Sequence, residues 1–401
     1  MYPLQFKLRV SKYGIFFTFF AFLAFLPGYF SNSIHGILNN IFAVLAATIL
    51  FTKKYRPSPF IILSSAYYIY LILVTYLRSE GGVDISFIIS NVRNIIMLGL
   101  IEYMFQQNSS KSRNILLRVF LVYILLDFAS LLLFPEGLYF TEKAWNEWST
   151  TEVANWFLGN KNNRIIWYLL TLLMAYWKHN DEKKPKSKGL LIFIMCVAFG
   201  AIAFCASSTS FVVIIIALLG IINSFRKRTP CSSHINIFVI YSIYAVSLAL
   251  TLSGSVGFLN GFISNVLGKD MTFTGRTIIW AKVGMLILKK PILGWGYISG
   301  VTAADLLGNL SFTSAHNVWL NTLWQGGICL LIIVLSVFWL IAKKLRREER
   351  EIETTVGVIL FAAMINMMFE SILSVSVTWV FLLICYEIGI HSYENKNEKK
   401  V

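Results

Sequence analysis

The feature that most constrains this chain is its series of apolar segments, each about as long as a lipid bilayer is thick. A helix that crosses the hydrocarbon core needs about 20 consecutive, mainly apolar residues. The sequence therefore predicts an all-α polytopic membrane protein of about 12 transmembrane helices, with residues 1–401 forming one membrane domain. The predicted spans are residues 14–30, 36–51, 60–77, 85–105, 115–135, 164–177, 190–206, 211–225, 235–256, 318–342, 355–370 and 373–390.

The charged residues agree with this class. Only 14% of the residues are charged, whereas a soluble domain carries roughly a quarter. A net charge of +15 would indicate nucleic acid in a soluble protein, but here Lys and Arg lie in short loops, so no nucleic-acid partner is expected. Four of the five cysteines lie in predicted spans and Cys231 lies in a basic loop. Neither a disulfide framework nor a metal site is implied.

The distribution of Lys and Arg predicts the orientation of the chain. With the N-terminus inside, seven short cytoplasmic segments hold 24 of these residues and the outward segments hold nine. Short cytoplasmic loops carry an excess of positive charge in membrane proteins, so both termini are expected in the cytoplasm. Two long outward segments, 136–163 and 257–317, are then the places to look for chemistry.

The second outward segment contains a predicted surface helix. Thr274 or Gly275 can begin this helix and Pro291 ends it, with apolar residues at helical spacing between them. Such a helix can lie in the membrane interface. Free N–H groups in its first turn and the donor fork of Arg276 suit phosphate oxygens. An Arg in an interfacial helix also commonly binds lipid headgroups. When Arg276 is considered by itself, this alternative stays open.

A glycine-rich turn and a histidine follow this helix. Gly294 and Gly296 permit a tight turn beside Trp295 and Tyr297, whose rings can stack on a sugar. His316 opens the next span, with Thr313 and Ser314 before it as candidate N-caps. A helix N-terminus favours the neutral imidazole, which can accept a proton. Taken by itself, a His at a span boundary is as well explained as an interface residue.

The order and spacing of three segments resemble the O-antigen ligase/polymerase superfamily. They are Gly275-Arg276 with Trp280, Pro291 to Gly296 in the pattern Pro-x-x-Gly-x-Gly, and the pair His316-Asn317 opening the next helix. The resemblance covers about 55 residues directly, and the number of spans extends it loosely to the whole chain.

This resemblance implies a metal-independent glycosyltransferase in the bacterial inner (plasma) membrane, with an extracytoplasmic active site and no cofactor. Its donor would be an oligosaccharide on polyprenyl (undecaprenyl) pyrophosphate. As catalytic residues, Arg276 would hold the pyrophosphate and His316 would act on the attacking hydroxyl, while Asn317 would contact the substrate. The implied protein partners are a flippase and a chain-length regulator. Many members also carry Ser-Arg at an outward turn, whereas Ser207 to Phe211 contain no Arg here, so another cation must substitute.

The end of the first outward segment supplies further substrate-binding candidates. Gly159 to Asn163 read Gly-Asn-Lys-Asn-Asn, which resembles the capsule and O-antigen polymerase branch more than the ligases. Lys161 and Arg164 can supply cations to a phosphate, and Asn162 and Asn163 can bond to sugar hydroxyls. The alternative is a solvated helix cap at the membrane surface.

Three ionisable residues within or at the ends of spans complete the candidates. Arg93 lies inside the fourth span, where an Arg is a functional candidate by default. It either pairs with Asp127, at similar depth in the fifth span, or replaces the missing Ser-Arg cation. Glu370 ends the eleventh span at the outward face, where its carboxylate can orient His316 or hold a sugar hydroxyl. The alternative is a plain interfacial Glu.

Together these features favour a polysaccharide polymerase that transfers a growing glycan from polyprenyl pyrophosphate to a new lipid-linked repeat. Lipopolysaccharide O-antigen or capsule is the expected product class. One alternative is an O-antigen ligase that moves finished polymer to lipid A core or another acceptor. A second is a lipid-linked glycan flippase or transporter, whose folds often show internal repeats and helices broken at mid-membrane. The sequence indicates neither feature.

Overall fold

The helices found in the structure agree with the predicted fold class. The computed structural model describes residues 12–30, 33–78, 83–146, 149–204, 207–225, 236–253 and 276–398. Thr274, Gly275 and the first part of the 257–317 segment lie outside these ranges. The described helices are α1 (Lys12–Ala24), α2 (Ser33–Thr52), α3 (Pro59–Arg78), α4 (Ile85–Leu133), α5 (Ile165–Glu182), α6 (Pro185–Ala203), α7 (Ser208–Ser224), α8 (Ile237–Leu252), α9 (Arg276–Lys289), α10 (Gly300–Leu307), α11 (Val318–Leu345), α12 (Arg350–Phe369) and α13 (Ser376–Glu398).

Each of the twelve predicted spans overlaps one of these helices. In the described part of the chain, α3, α4, α6, α11 and α12 are long and apolar enough to cross a bilayer by length and composition. Shorter apolar helices cover 14–24, 36–52, 208–224, 237–252 and 376–390. The protein is therefore an all-α polytopic membrane protein.

Helix α4 contains two of the predicted spans. Its 49 residues would extend about 73 Å as a straight helix, more than twice the roughly 30 Å of a hydrocarbon core. Asn108, at φ −162° and ψ 94°, interrupts it. The Ser112 hydroxyl donates to the Met104 carbonyl, eight residues earlier, at 2.7 Å, so the chain folds back here. Residues before and after Asn108 form two arms, as the polar stretch at 106–114 predicted.

The first outward segment forms a small antiparallel sheet that the sequence did not predict. Its strands are β1 (Tyr139–Asn146), β2 (Ser149–Trp156) and β3 (Gly159–Asn160), in the order β1-β2-β3. The register pairs Tyr139 with Asn155, and β2 and β3 pair through Asn155 and Asn160. The sheet therefore connects the end of α4 to the start of α5.

A buried ion pair fixes the end of this sheet to α4. Arg164 donates to Asp127 through Nε at 2.8 Å, its Nη2 lies 2.7 Å from the same carboxylate oxygen, and both side chains are fully buried. Asp127 also accepts from the Tyr168 hydroxyl at 2.6 Å and the Leu158 amide at 2.9 Å. The predicted Arg93–Asp127 pair is wrong, because Arg164, next to Asp127 in space, takes that carboxylate. Arg93 instead donates to Asn40 at 3.3 Å.

Helix α11 is broken at Gly327, and the Pro-x-x-Gly-x-Gly segment fills the break. Gly327 lies at φ 60° and ψ −161°. The carbonyls of Trp324 and Gln325 accept from the amides of Trp295 and Gly296, at 3.0 and 2.8 Å. The expectation of unbroken spans is thus wrong for α11. The backbone groups freed at the break are satisfied by the outward segment, as non-helical backbone inside a membrane protein requires.

The same segment also pairs with the second half of α11. The Ile328 amide donates to the Pro291 carbonyl at 2.9 Å, and the Cys329 amide donates to the Ile292 carbonyl at 3.3 Å. On α3, the Tyr70 hydroxyl lies 3.5 Å from the Leu293 carbonyl, and the Thr75 hydroxyl accepts from the Tyr297 amide at 2.8 Å. The outward segment is therefore fixed to two membrane helices.

Candidate active site

A single carboxylate gathers the polar residues at the outer end of the helices. Glu370 follows Phe369, the last residue of α12, and is 8% exposed. Arg276 donates to its Oε1 through Nη2 at 2.6 Å, and Asn162 donates to the same oxygen at 2.9 Å. Nδ1 of His316 lies 3.5 Å from Oε2. We call Glu370, Arg276, His316 and Asn162 the carboxylate cluster.

The cluster keeps Glu370 ionised. Burial by itself raises the pKa of this carboxyl, but His316 and Arg276 outweigh burial, and the net pKa lies below its ordinary value. Hydrogen bonds and positive charge beside a carboxylate favour its charged form. The cluster is thus organised around an anion, which can stabilise positive charge on the groups beside it.

Helix α9 holds Arg276 and the backbone beside His316 together. Trp280 lies one turn after Arg276, and its indole Nε1 donates to the Ala315 carbonyl at 3.1 Å. The Arg276 guanidinium lies 5.9 Å from the centre of the Phe369 ring. The Gly-Arg…Trp spacing therefore has a structural reason, because one face of a helix contacts both Glu370 and the residue preceding His316.

Asn317 caps α11, so the predicted N-caps Thr313 and Ser314 are wrong. Its side-chain oxygen accepts from the Leu320 amide at 3.0 Å, and its Nδ2 donates to the Met368 carbonyl at 3.0 Å. Asn317, which the sequence predicts to contact the substrate, is fully buried. In the structure it caps α11 and connects this helix to the end of α12. His316, just before it, has φ 46°, an uncommon backbone conformation for a residue with a side chain.

A cavity of about 1210 Å³ opens beside the carboxylate cluster. Helices α3, α4 and α11, strands β1 and β2, and the segments at 160–163, 297–302 and 370–375 contribute to its wall. Six predicted site residues line it, namely Lys161, Asn162, Asn163, Tyr297, His316 and Glu370. Arg276 is not a lining residue and reaches the cavity wall through Glu370.

Two predicted stacking residues differ in position. Trp295 is used in packing, since its Nε1 donates to the Leu286 carbonyl at 2.8 Å and the Lys290 ammonium lies 4.0 Å from its ring centre. Tyr297 lines the cavity and is 44% exposed. Its ring stacks on Phe87 at 4.4 Å between centres. Of the two rings, Tyr297 is the one that lines the cavity.

Ser207 is a residue of the site that the sequence did not single out as functional. Its hydroxyl donates to Oδ1 of Asn162 at 3.0 Å and so directs the amide nitrogen of Asn162 toward Glu370. The only sequence signal was its place in the Ser-rich stretch that lacks the expected Arg. Ser210 of that stretch donates to the Lys161 carbonyl at 3.4 Å. These hydrogen bonds bring the Ser-rich stretch, where the expected Arg is missing, next to Lys161. Lys161 is a cation and is exposed in the cavity wall.

Residues 190–335 match the family described as O-antigen ligase. Over 185 residues the chain is 26% identical to the exopolysaccharide production protein ExoQ of Rhizobium meliloti (strain 1021). That alignment covers 40% of this chain and 41% of ExoQ, less than half of either protein. No solved structure matches the chain. Arg276 and His316 both lie within the matched family region, and the two comparisons together support the resemblance to the O-antigen ligase/polymerase superfamily.

Proposed function

We propose that this protein is a polymerase of polysaccharide repeat units, acting at the extracytoplasmic face of a bacterial inner membrane. It transfers a growing glycan from polyprenyl pyrophosphate to a new lipid-linked repeat. The family match and the name of ExoQ support an activity of the polysaccharide polymerase or ligase type. The observation that carries the proposal is the carboxylate cluster, in which Glu370, at the wall of the cavity, contacts Arg276, His316 and Asn162.

The cluster suggests how the acceptor hydroxyl is activated. With Nδ1 of His316 facing the Glu370 carboxylate, the other ring nitrogen is the one that accepts a proton. The acceptor oxygen attacks the anomeric carbon of the donor sugar, and its proton passes to His316. A carboxylate beside the ring stabilises the imidazolium that forms. Glu370 is then a positioning residue that acts through His316.

We assign two cations to the leaving group, Lys161 in the cavity wall and Arg276 behind Glu370. The bond from the anomeric carbon to the phosphate oxygen breaks, and polyprenyl pyrophosphate leaves with the electron pair. Lys161 lines the cavity and its ammonium forms no hydrogen bond or ion pair with other described residues. Arg276 lies behind Glu370 with its side chain 16% exposed. Positive charge fixed where negative charge develops lowers the barrier, so we assign the pyrophosphate to Lys161 and Arg276.

Asn162 and its neighbour contribute to the polymerase assignment. Asn162 belongs to the Gly-Asn-Lys-Asn segment that resembles polymerases, and it is part of the carboxylate cluster itself. Asn163 lines the same cavity. Their amides can bond to sugar hydroxyls near the reacting atoms, which is where a polymerase must recognise its own repeat.

The test is the glycan profile of a strain that lacks this gene, with the gene restored as wild type, Arg276→Ala, His316→Ala or Lys289→Ala. Lys289 lies on the same helix as Arg276 but is exposed, and it serves as the matched control. We expect the polymer ladder to disappear while single repeats still reach the surface. Wild type and Lys289→Ala should restore the ladder, and Arg276→Ala and His316→Ala should not, at equal expression.

Other profiles would identify another function. Full-length polymer held on its lipid carrier would show a ligase, the activity in the description of the matched family. Repeats held on the cytoplasmic side would show a flippase, to which the break in α11 would then be relevant. A ladder restored by His316→Ala would remove His316 from the reaction.

A further inference from the structure

The cavity continues inward from the carboxylate cluster, between three membrane helices. Its inner wall is formed by residues about one to three turns from the outer helix ends, a distance of about 5 to 16 Å, which places them in the outer half of a hydrocarbon core. We call this part the inner pocket. It is lined by Tyr67, Tyr68 and Leu71 of α3, by Ser90, Asn91 and Asn94 of α4, and by Asn321, Thr322 and Gln325 of α11.

Polar side chains of α11 face this pocket without partners of their own. Thr322 is 4% exposed and Gln325 is 8% exposed. Their side chains, and that of Asn321, form no hydrogen bond or ion pair with any residue in the described part of the chain. Amides and hydroxyls that line a cavity without a protein partner can bond to a molecule bound there, and polar residues within a membrane span commonly serve function. These groups therefore point to a ligand that offers hydrogen bonds.

The chemistry of the inner pocket selects the class of ligand. None of its described lining residues is an Asp, Glu, Lys, Arg or His, whereas phosphate is bound by cations. A polyprenyl chain offers no hydrogen bonds to the amides. Side-chain amides and hydroxyls both donate and accept, which matches sugar hydroxyls. Tyr67 and Tyr68, packed on Trp379 with ring centres at 4.8 and 5.6 Å, supply an apolar wall for the ring carbons.

We propose that the inner pocket binds an uncharged sugar ring of the glycan substrate, hydrogen-bonded by Asn321, Thr322 and Gln325. This divides the cavity by chemistry. Lys161 and the carboxylate cluster at the outer end take the pyrophosphate and the reacting atoms, and the neutral inner end takes a sugar. The inference rests on the proposed function for the origin of the sugar, but sugar binding is measured separately from polymerisation.

The experiment measures binding to the purified protein in nanodiscs by calorimetry. The probes are the repeat oligosaccharide released from the strain's own polymer, without lipid or phosphate, and polyprenyl pyrophosphate without sugar. Thr322→Val with Gln325→Leu removes the hydrogen-bonding groups at nearly constant volume. Ser336→Val on the exposed side of α11 is the control, since that hydroxyl donates to the Ile332 carbonyl of its own helix.

The double variant should weaken oligosaccharide binding about tenfold, as expected for losing two or three neutral hydrogen bonds. Its affinity for polyprenyl pyrophosphate should stay within twofold of wild type, and Ser336→Val should match wild type for both probes. Unchanged oligosaccharide binding would overturn the proposal, and so would a selective loss of pyrophosphate binding. If the double variant does not fold, Ser90→Ala with Asn94→Leu on α4 makes the same test from another helix.

Two further comparisons separate the possible outcomes. An oligosaccharide trimmed of its non-reducing terminal sugar shows whether the sugar in the inner pocket belongs to the acceptor or to the donor. If the trimmed probe binds wild type and the double variant equally, the pocket holds the acceptor end, and if the difference persists it holds a donor sugar. An intact polymer ladder in the deletion strain, combined with variant-sensitive sugar binding, would reject the proposed polymerase and leave the sugar pocket standing. Loss of the ladder with variant-insensitive binding would reject the pocket alone.

Discussion

At the scale of single residues, the Glu370 carboxylate is the negative charge that balances the positive groups of the site. It is contacted by Asn162 and Arg276, which lie 208 and 94 residues away along the chain, and by His316. Without its carboxylate, Arg276 and His316 would be two like-charged groups at one wall when the histidine is protonated. The cluster therefore depends on Glu370 for its charge balance as well as for its geometry.

The Glu370→Gln variant tests this role through the dependence of stability on pH. Because the folded pKa of Glu370 is lowered, its carboxylate stabilises the fold above the usual unfolded value of about 4.3, and this stabilisation is lost only as the pH falls through the lower folded pKa. We expect Glu370→Gln to cost about 1–3 kcal/mol of stability at pH 7, with thermal unfolding in nanodiscs as the measurement. The difference from wild type should persist at pH 5 and close only at more acidic pH.

Activity adds a second readout for the same variant. As a positioning residue, Glu370 should change the pH profile of polymerisation when it is replaced by Gln, while Glu370→Asp should restore part of the activity. A Glu370→Gln enzyme with the wild-type profile and rate would show that the carboxylate does not act through His316.

The sequence predicts the members of this site better than it predicts their contacts. Arg276 and His316 follow from a motif, and Glu370 follows from its place at the end of a span. The ion-pair partner of Asp127 does not follow from the sequence, because Arg93 and Arg164 are both candidates. Only the path of the β-sheet brings Arg164 beside α4. Likewise, Asn317 rather than Ser314 caps α11 because the chain enters the helix through the left-handed conformation of His316.

At the scale of elements, the break in α11 explains why the outward segment has the pattern Pro-x-x-Gly-x-Gly. Gly294 and Gly296 have φ of 75° and 85°, and a Cβ at Gly294 would lie 2.5 Å from the backbone of Gln325. The segment can approach α11 this closely only with glycine at these positions. Hydropathy detects neither this approach nor the break, because α11 remains apolar on both sides of Gly327.

The Gly327→Ala variant tests whether this docking holds the fold. A side chain there would adopt a backbone conformation that costs about 1–3 kcal/mol, and its Cβ would overlap the Ile292 carbonyl. We expect a marked fall in the thermal unfolding temperature and loss of the polymer ladder. Gly284→Ala in α9 is the matched control, since a Cβ there meets nothing within 4 Å, and it should be neutral or slightly stabilising. Equal unfolding temperatures for both variants would show that the segment is not held by α11.

At the scale of the whole molecule, the two ends of the bundle carry different polar clusters. The carboxylate cluster, the β-sheet and the cavity lie at one end. At the other, Arg113 near the turn of α4 pairs with Asp181 at the end of α5, and Tyr55 bonds to Glu102 beside the α2–α3 connection. These are the ends that the charge distribution predicts to be outside and inside. The span pattern thus predicts the arrangement of the bundle, although not the β-sheet, whose short strands are too polar for a hydropathy signal.

Cysteine labelling in intact cells tests this orientation. In a variant with the five native cysteines replaced by serine, Glu136→Cys and Asp305→Cys occupy exposed positions at the site end, and Lys186→Cys occupies an exposed position at the opposite end. Because the short loops at the opposite end hold most of the Lys and Arg, the positive-inside rule places that end in the cytoplasm. A membrane-impermeant maleimide should therefore label the first two positions in intact cells and Lys186→Cys only after permeabilisation. Labelling of Lys186→Cys in intact cells would place the carboxylate cluster in the cytoplasm, where a polymerase of exported repeats has no access to its substrates.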